Sequence, residues 1–317
     1  MDRKFDIIAL GELNVDLILN RIQGFPEIGK EIVADDFLMT LGSSTAIFAA
    51  NAASLGSSVA FLGMVGNDGF GNYIEESLRK RRVDTSLLIR SERYNTGVTV
   101  VMNYDQDRAN VTYPGAMNFM GLDEISGDAI GQAKHVHISS LFLQENLRRD
   151  IPGILELIRK CGATVSLDTQ WDPSEKWDFD FRKLLPMINV FMPNEKELMC
   201  LTRCSDLDAA IAAVSDYVDI MVVKRGSRGA TLVLKGGERH DMPALLNEHV
   251  VDAIGAGDSF NAGFVSAYVR GYPINECLSD GILAGAINTT AAGGTGAFSS
   301  PESIRVAART FGKEIKI

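Results

Sequence analysis

From Val250 to Val269 the chain reads VVDAIGAGDSFNAGFVSAYV. Apolar residues at Phe260, Phe264, Val265 and Tyr268 recur with helical spacing, so a helix is expected to begin near Gly257. The small residues Gly255, Ala256 and Gly257 leave the backbone N–H groups of that N-terminus bare. An anion arriving there meets several donors and the positive end of the helix dipole, which makes a cradle for a phosphoryl group. Asp258 falls in the first turn. A carboxylate there favours the helix but repels phosphate unless it has another task, and general base is such a task. An ordinary glycine-rich loop with an N-terminal carboxylate is the alternative that this segment alone leaves open.

Other candidate motifs fare worse. Gly24-Phe25-Pro26-Glu27-Ile28-Gly29-Lys30 has Walker A spacing, yet Glu31 stands where a hydroxyl must hold magnesium and the loop contains a proline. Gly255-Ala256-Gly257 opens like a dinucleotide fingerprint, but Phe260 occupies the third glycine position. A nicotinamide-dependent oxidoreductase is therefore the rival class. Cys200 and Cys204 are spaced i,i+4 on an apolar helix with no Cys/His pair nearby, which reads as core rather than zinc. His135 and His137 alternate along an apolar run, so they share one strand face, and ordinary packing is again the reading.

A chain of 317 residues with 46% hydrophobic content can bury a sizeable core. A formal charge of −10 and no basic run argue against nucleic acid or anionic membrane as partners. The N-terminal apolar run is too short for a signal sequence, and the run Ala46 to Met64 is broken by polar residues into an amphipathic helix, a turn and a buried strand. Four cysteines are too sparse for a disulfide scaffold, so free thiols and a reducing, cytoplasmic location are expected.

Strand-like runs at Phe5–Leu10, Val59–Val65, His135–Ile138, Thr164–Leu167, Asn189–Met192 and Ile220–Val223 alternate with helical patterns such as Ile151–Lys160 and Leu207–Val214. That rhythm implies an α/β fold with a mostly parallel sheet covered on both faces. Two stretches interrupt it, Leu13–Leu41 and Thr96–Pro114, the second patterned as a hairpin around Asp105-Gln106-Asp107. They are expected to meet as a small β-strand lid, formed by about 12–40 and 94–116, on a single domain spanning 1–317. Exposed lid strands invite pairing with a second copy, so a homodimer through the lid is expected.

The segment around Asp258 resembles the C-terminal signature of the ribokinase (PfkB) carbohydrate-kinase family, Asp-Thr-x-Gly-Ala-Gly-Asp-x-Phe. The likeness extends through Gly11-Glu12-Leu13-Asn14-Val15-Asp16, Gly63-Met64-Val65-Gly66-Asn67-Asp68-Gly69-Phe70-Gly71, Asn194-Glu195-Lys196-Glu197 and Lys224-Arg225-Gly226-Ser227-Arg228-Gly229. The resemblance implies a ribokinase-like three-layer α/β/α fold and ATP-dependent phosphorylation of a hydroxyl on a small sugar-like substrate. It implies Asp258 as base and Gly255, Ala256 and Gly257 as the anion hole. It further implies Asn194, Lys224, Gly226 and Gly229 at the nucleotide, and Glu197 at Mg2+, through water. Asn14 and Asp16, alternating on the first lid strand, would grip the sugar together with Gly42, Ser43 and Ser44. Asp252 would be the ligand of a monovalent cation, with K+ the candidate.

Departures from the family pattern bear on the substrate. Leu41-Gly42-Ser43-Ser44-Thr45-Ala46-Ile47 has Ser43 for a second glycine and Ile47 for an asparagine, so one customary contact is missing. Asp168-Thr169-Gln170-Trp171-Asp172 replaces an Asp-x-Asn-x-Arg run, which weakens an acidic or phosphorylated sugar. Ala253 and Ile254 replace hydroxyl residues after Asp252. Met39, Tyr94, Met102, Tyr104 and Met117 either line an apolar pocket in the lid or pack. A nucleoside kinase on the same scaffold and a non-catalytic sugar-binding protein stay as alternatives.

Overall fold

The computed structural model describes residues 3–104, 107–315 and 317. Its strands are β1 (Phe5–Leu10), β2 (Asn14–Asn20), β3 (Asp36–Leu41), β4 (Val59–Leu62), β5 (Met64–Gly66), β6 (Ile89–Ser91), β7 (Gly97–Tyr104), β8 (Asp107–Tyr113), β9 (Ala133–Ser139), β10 (Thr164–Asp168), β11 (Val190–Phe191), β12 (Ile220–Lys224), β13 (Ala230–Leu234) and β14 (Arg239–Met242). Eight of them form one sheet in the order β14-β13-β12-β11-β10-β9-β1-β4. From β4 to β12 every neighbour is parallel, and only the β12–β13 and β13–β14 pairings are antiparallel.

Because successive side chains of a strand point to opposite faces, β1 feeds two cores. Ile8 and Leu10 join the helices Glu145–Lys160, Glu195–Thr202 and Leu207–Val214 on one face. Ile7 and Ala9 join Ser44–Ser54, Ala256–Val269 and Ile274–Asn288 on the other. The result is the three-layer α/β/α arrangement that the strand-helix alternation implies.

A separate four-stranded sheet, ordered β3-β2-β7-β8, comes from the two stretches that break the α/β rhythm. β7 and β8 pair antiparallel as a hairpin, while Asp105 and Gln106, at its expected turn, lie outside the described residues. One face of this sheet carries Asn14, Asp16, Thr99 and Thr112, with Asn14 Nδ2 donating to Thr99 Oγ1 at 3.0 Å and the two threonine hydroxyls 3.0 Å apart. Alternation puts Met39, Met102 and Tyr104 on the opposite face, where Met39 lines a cavity with Phe70 and Tyr113 and Tyr104 packs on Phe25. Tyr94 stacks on Phe119 and Met117 is fully buried.

Four local expectations need correction. Val59–Val65 is two strands: at Gly63 an added Cβ would come 2.7 Å from Phe61 and 2.9 Å from the Gly11 carbonyl, and beyond this break β5 leaves the main sheet to pair with β6. The helix at Ser44–Ser54 is buried all round rather than amphipathic, because both sides are covered: Phe48 stacks on His137 of the sheet, and Asn51 Nδ2 bonds Ser259 Oγ at 2.9 Å. The Ile151–Lys160 helix starts at Glu145, whose N–H is satisfied by Asn118 Oδ1 at 2.7 Å. Cys204 lies beyond the end of its expected helix, past the left-handed cap residue Arg203, yet packs with Cys200 on the core, and all four thiols are unpaired. His135 and His137 do share a face, both bonded to Ser166 Oγ at 2.7 Å, and burial holds both imidazoles neutral by pushing His135 down to about 3 and His137 well below its ordinary value.

The helix bearing Asp258 is fixed by close backbone contact. A Cβ at Gly263 would lie 2.4 Å from the Asp280 carbonyl oxygen and 2.7 Å from Ala284 Cβ, so the helices Ala256–Val269 and Ile274–Asn288 approach as near as they do only because that position has no side chain. Gly263→Ala should destabilise the fold by about 1–3 kcal/mol through overpacking, read as a lower urea midpoint with an unchanged slope.

Candidate active site

The parallel strands all end on one side, where an α/β sheet opens its ligand crevice. Asp168 is the last residue of β10 and Lys224 the last of β12. Asn194 follows β11 and bridges Lys224, whose N–H donates to the Pro193 carbonyl at 3.0 Å. Into this row of strand ends points the N-terminus of the 256–269 helix. Gly255 precedes it in the left-handed region at φ 75°, and no side chain among the described residues caps this end. A Cβ at Gly255 would meet Gly294 Cα at 2.7 Å, so glycine is required for space as well as conformation.

Beneath the helix tip lies a buried charged network. Lys224 Nζ bonds Asp168 Oδ2 and reaches Asn261 Oδ1 at 3.4 Å, and Asn261 Nδ2 donates to the same Asp168 oxygen at 2.6 Å. Asn261 sits one turn after Asp258 on the same helix face. Burial works against the Lys224 charge, but Asp168 and Glu197 outweigh it and hold the ammonium above its ordinary range. Asp258 is itself buried; desolvation and the Asp168 charge push its carboxyl up to about 7, with Lys224 pulling the other way. Glu197 is also raised to about 7, by burial and then by Asp168.

The first-turn carboxylate Glu197 is thus not solvated. Asn194 and Glu197 form a reciprocal cap, with Glu197 N–H to Asn194 Oδ1 at 2.9 Å, Asn194 N–H to Glu197 Oε2 at 2.9 Å, and Asn194 Nδ2 to Glu197 Oε1 at 2.6 Å. No group of three or more His, Cys, Asp or Glu side chains suited to a metal occurs among the described residues. A lone carboxylate fits an ion that keeps its water shell and takes its remaining ligands from phosphates, as Mg2+ does.

On one side of the helix tip a cavity of about 480 Å³ is lined by Lys224, Gly226, Gly229, Ala256, Gly257 and Phe260, and continues past Leu245 and Ala286. Asp252 borders this region differently from a free ligand: its two oxygens accept the Ile254 and Gly293 N–H groups, each at 2.9 Å. On the other side stands the polar face of the small sheet. Asn14 Nδ2 donates to Asp16 Oδ1 at 2.8 Å, and Gly42 lies over both, since a Cβ there would fall 2.3 Å from Asp16 Oδ1. Burial raises the Asp16 carboxyl to about 6, opposed by the Asn14 hydrogen bond and by the charge of Arg108 on β8. Ser43 caps the 44–54 helix, its Oγ donating to the Glu12 carbonyl at 2.6 Å and accepting the Ala46 N–H at 2.9 Å. Ser44 Oγ donates to Gln170 Oε1 at 2.9 Å, and Gln170 Nε2 donates to Asp258 Oδ1 at 2.7 Å.

The residues singled out in the sequence therefore fall into two groups meeting at Asp258: Asn14, Asp16, Gly42, Ser43 and Ser44 on one side, Lys224, Gly226, Gly229 and the helix tip on the other. Asn194 and Glu197 lie beside Lys224. Four further residues complete the site: Asp168, Gln170, Asn261 and Glu12, the last buried and receiving both the Thr45 N–H and the Thr45 hydroxyl. A polar Asn261 three places after Asp258 in an otherwise apolar helix was the available signal for one of them.

A family model described as pfkB family carbohydrate kinase matches residues 4–301. The chain belongs to that family. The kinase is 30% identical to an uncharacterized sugar kinase of Archaeoglobus fulgidus over 70% of this chain and 88% of the relative. Its fold is that of Arabidopsis thaliana ribokinase solved with ribose and ATP, at a TM-score of 0.80 and 24% identity over 96% of this chain and 99% of that one. The adenosine kinase of Sinorhizobium meliloti is similar at a TM-score of 0.81 and 22% identity, covering 97% and 99%. The kinase is a phosphotransferase with an alcohol acceptor, and the oxidoreductase reading falls away.

Its buried charges should show in stability. Lys224→Met leaves Asp168 uncompensated and should destabilise the kinase by about 3–5 kcal/mol, largely recovered in Lys224→Met with Asp168→Asn. Because Glu197 and Asp258 retain protons in the folded kinase up to about 7, their contribution to stability falls as pH rises from the ordinary carboxylate range through about 7. Without the ammonium that fall should steepen, as urea titrations between about pH 5 and 8 would register.

Proposed function

We propose that this kinase transfers the γ-phosphoryl group of ATP to a hydroxyl of a small sugar, with Asp258 as general base. The observation that carries the reading is the placement of Asp258 at an uncapped helix N-terminus, between an apolar-walled cavity and a polar acceptor face. The acceptor rests against Asn14, Asp16 and the Gly42-Ser43-Ser44 turn, with one hydroxyl directed to Asp258. Asp258 takes the hydroxyl proton as the oxygen bonds to the γ-phosphorus. The bond from that phosphorus to the β–γ bridging oxygen breaks, and ADP leaves with the electron pair. A carboxyl held near 7 suits a base that must accept and later release a proton at neutral pH.

The N–H groups of Gly255 to Asp258 receive the equatorial oxygens as charge spreads over them. Lys224, Gly226 and Gly229 border the nucleotide, whose base enters the 480 Å³ cavity beside Phe260. Asn194 orients Glu197, which would hold Mg2+ through water; the ion neutralises phosphate charge when bound. Asp252 is the proposed ligand of a monovalent cation, K+. The small sheet is assigned the role of a lid that excludes competing water, so ATP hydrolysis without acceptor should be low. No helix among the described residues is long and apolar enough to cross a membrane, and with four unpaired thiols a cytoplasmic location is proposed.

The acceptor face favours a polyhydroxyl compound over a nucleoside, since Asn14, Asp16, Thr99 and Thr112 are hydrogen-bonding groups clustered on it. ADP release measured against D-ribose, D-fructose, 2-keto-3-deoxy-D-gluconate and adenosine, each with and without K+, identifies the acceptor; adenosine as best substrate would overturn the sugar reading. Asp258→Asn should lower kcat on the order of 10² to 10⁴ while ATP binding, followed by calorimetry, persists. Near-normal turnover in that variant would remove Asp258 from its role.

β3 and β8 are the edges of the small sheet and expose Phe37, Leu38, Val111 and Tyr113. We assign these edges to a homodimer contact. Leu38→Glu with Val111→Lys should shift a dimer to monomer in sedimentation velocity; a wild-type monomer at micromolar concentration would refute the assignment.

A further inference from the structure

Asp258 Oδ1 is engaged by a neutral donor whose placement calls for explanation. Gln170 follows β10 by two residues and sits at φ 59°, a left-handed conformation that glutamine adopts rarely. Its side chain is tied at both ends: Nε2 donates to Asp258 Oδ1 at 2.7 Å, and Oε1 accepts from Ser44 Oγ at 2.9 Å. Once ionised, Asp258 only accepts, so the amide presents its NH2 group to the carboxylate, and the carbonyl end then faces Ser44, whose hydroxyl donates to it. The ionised carboxylate thereby sets the orientation of the amide, and the Ser44 hydroxyl holds its other end.

We propose that Gln170 is a positioning residue for phosphoryl transfer, holding one oxygen of Asp258 so that the other faces the acceptor hydroxyl, and favouring the anionic form of the base. Ser44 acts through Gln170 by setting its amide. The link joins the turn before the 44–54 helix, on the acceptor side, to the helix tip that receives phosphate. Charged groups facing Asp258 are Asp168 from β10, Glu12 after β1 and Lys224 from β12; the first two favour its protonated form and the third its anion, alongside Gln170. The 2.7 Å bond is charge-assisted when Asp258 is ionised, and it adds to Lys224 in favouring the anion.

The inference rests on Asp258 being the base, and the test separates the two. With saturating MgATP and the best acceptor of the panel above, kcat/KM for acceptor should rise with pH as the base ionises. Gln170→Leu should lower kcat/KM at neutral pH by about 10- to 100-fold and move that acid limb roughly one pH unit upward, so that the deficit narrows towards pH 9. Gln170→Glu, which sets a second carboxylate beside the first, should move the limb further. Ser44→Ala should raise the acceptor KM, since Ser44 also borders the acceptor, and should produce a smaller shift of the limb in the wild-type background and none on top of Gln170→Leu; a shift that persists on top of Gln170→Leu would remove Ser44 from this link. Circular dichroism melts and the shorter Gln170→Asn guard against a folding defect, since a merely structural loss lowers activity equally at every pH. An unmoved acid limb in folded Gln170→Leu overturns the inference. If Asp258→Asn is inactive while Gln170→Leu keeps the wild-type profile, only this inference falls; if Asp258→Asn is active, the base assignment falls with it.

Discussion

A single buried ammonium holds together a group of carboxylates that would otherwise repel one another. Asp168, Glu197 and Asp258 all act on Lys224, and Asp168 raises both of the other acids. Like charges gathered in a low-dielectric interior cannot all ionise without a cation among them. Lys224 meets that condition from the end of β12, with Asn261 supplying hydrogen bonds that let Asp168 remain buried. The acidity of the helix tip depends on this arrangement, because the charge state of Asp258 is set by burial and by neighbours on other elements rather than by its own helix.

Mechanical rigidity follows from the same region. The 256–269 helix is clamped against 274–288 at Gly263 and against 44–54 through Asn51 and Ser259. Gly255 packs on Gly294 as the chain enters the helix. In the proposed mechanism the donors meet a phosphoryl group in one geometry, and they gain from being held before it arrives, since no reorganisation is then required. The small sheet is built on the contrary principle: its edges are open and several apolar residues on them face outward.

The readable parts of the sequence were those governed by local rules. Helical spacing after Gly257 located the helix tip, and period-2 runs located the strands, because both depend on residues within a few positions of each other. Glu197 shows where this ends: within its own helix it is an ordinary first-turn carboxylate, and only the convergence of β10, β11 and β12 buries it. The links Asp168–Lys224, Asp168–Asn261 and Gln170–Asp258 join residues 56, 93 and 88 positions apart. No periodicity encodes such pairs. The 44–54 helix reads as amphipathic from its sequence for a related reason, since Asn51 is polar and its partners, Ser259 and the Gly294 carbonyl, lie more than two hundred positions away.

The departure at Asp168-Thr169-Gln170-Trp171-Asp172 then acquires a physical sense. Asp168 anchors the ammonium, and Gln170, two residues on, bonds the carboxylate which that ammonium also stabilises. Desolvation and the repulsion of Asp168 and Glu12 draw the Asp258 proton affinity up, and Lys224 and Gln170 draw it down. A base is useful only near the balance of such terms: with too little opposition it would be a weak acceptor of protons, and with too little support it would stay protonated at neutral pH. One short segment at the end of a single strand therefore carries terms of both signs, and a change at 168 or 170 reaches the acidity of Asp258 through contacts with its helix, at Asn261 and at Asp258 itself.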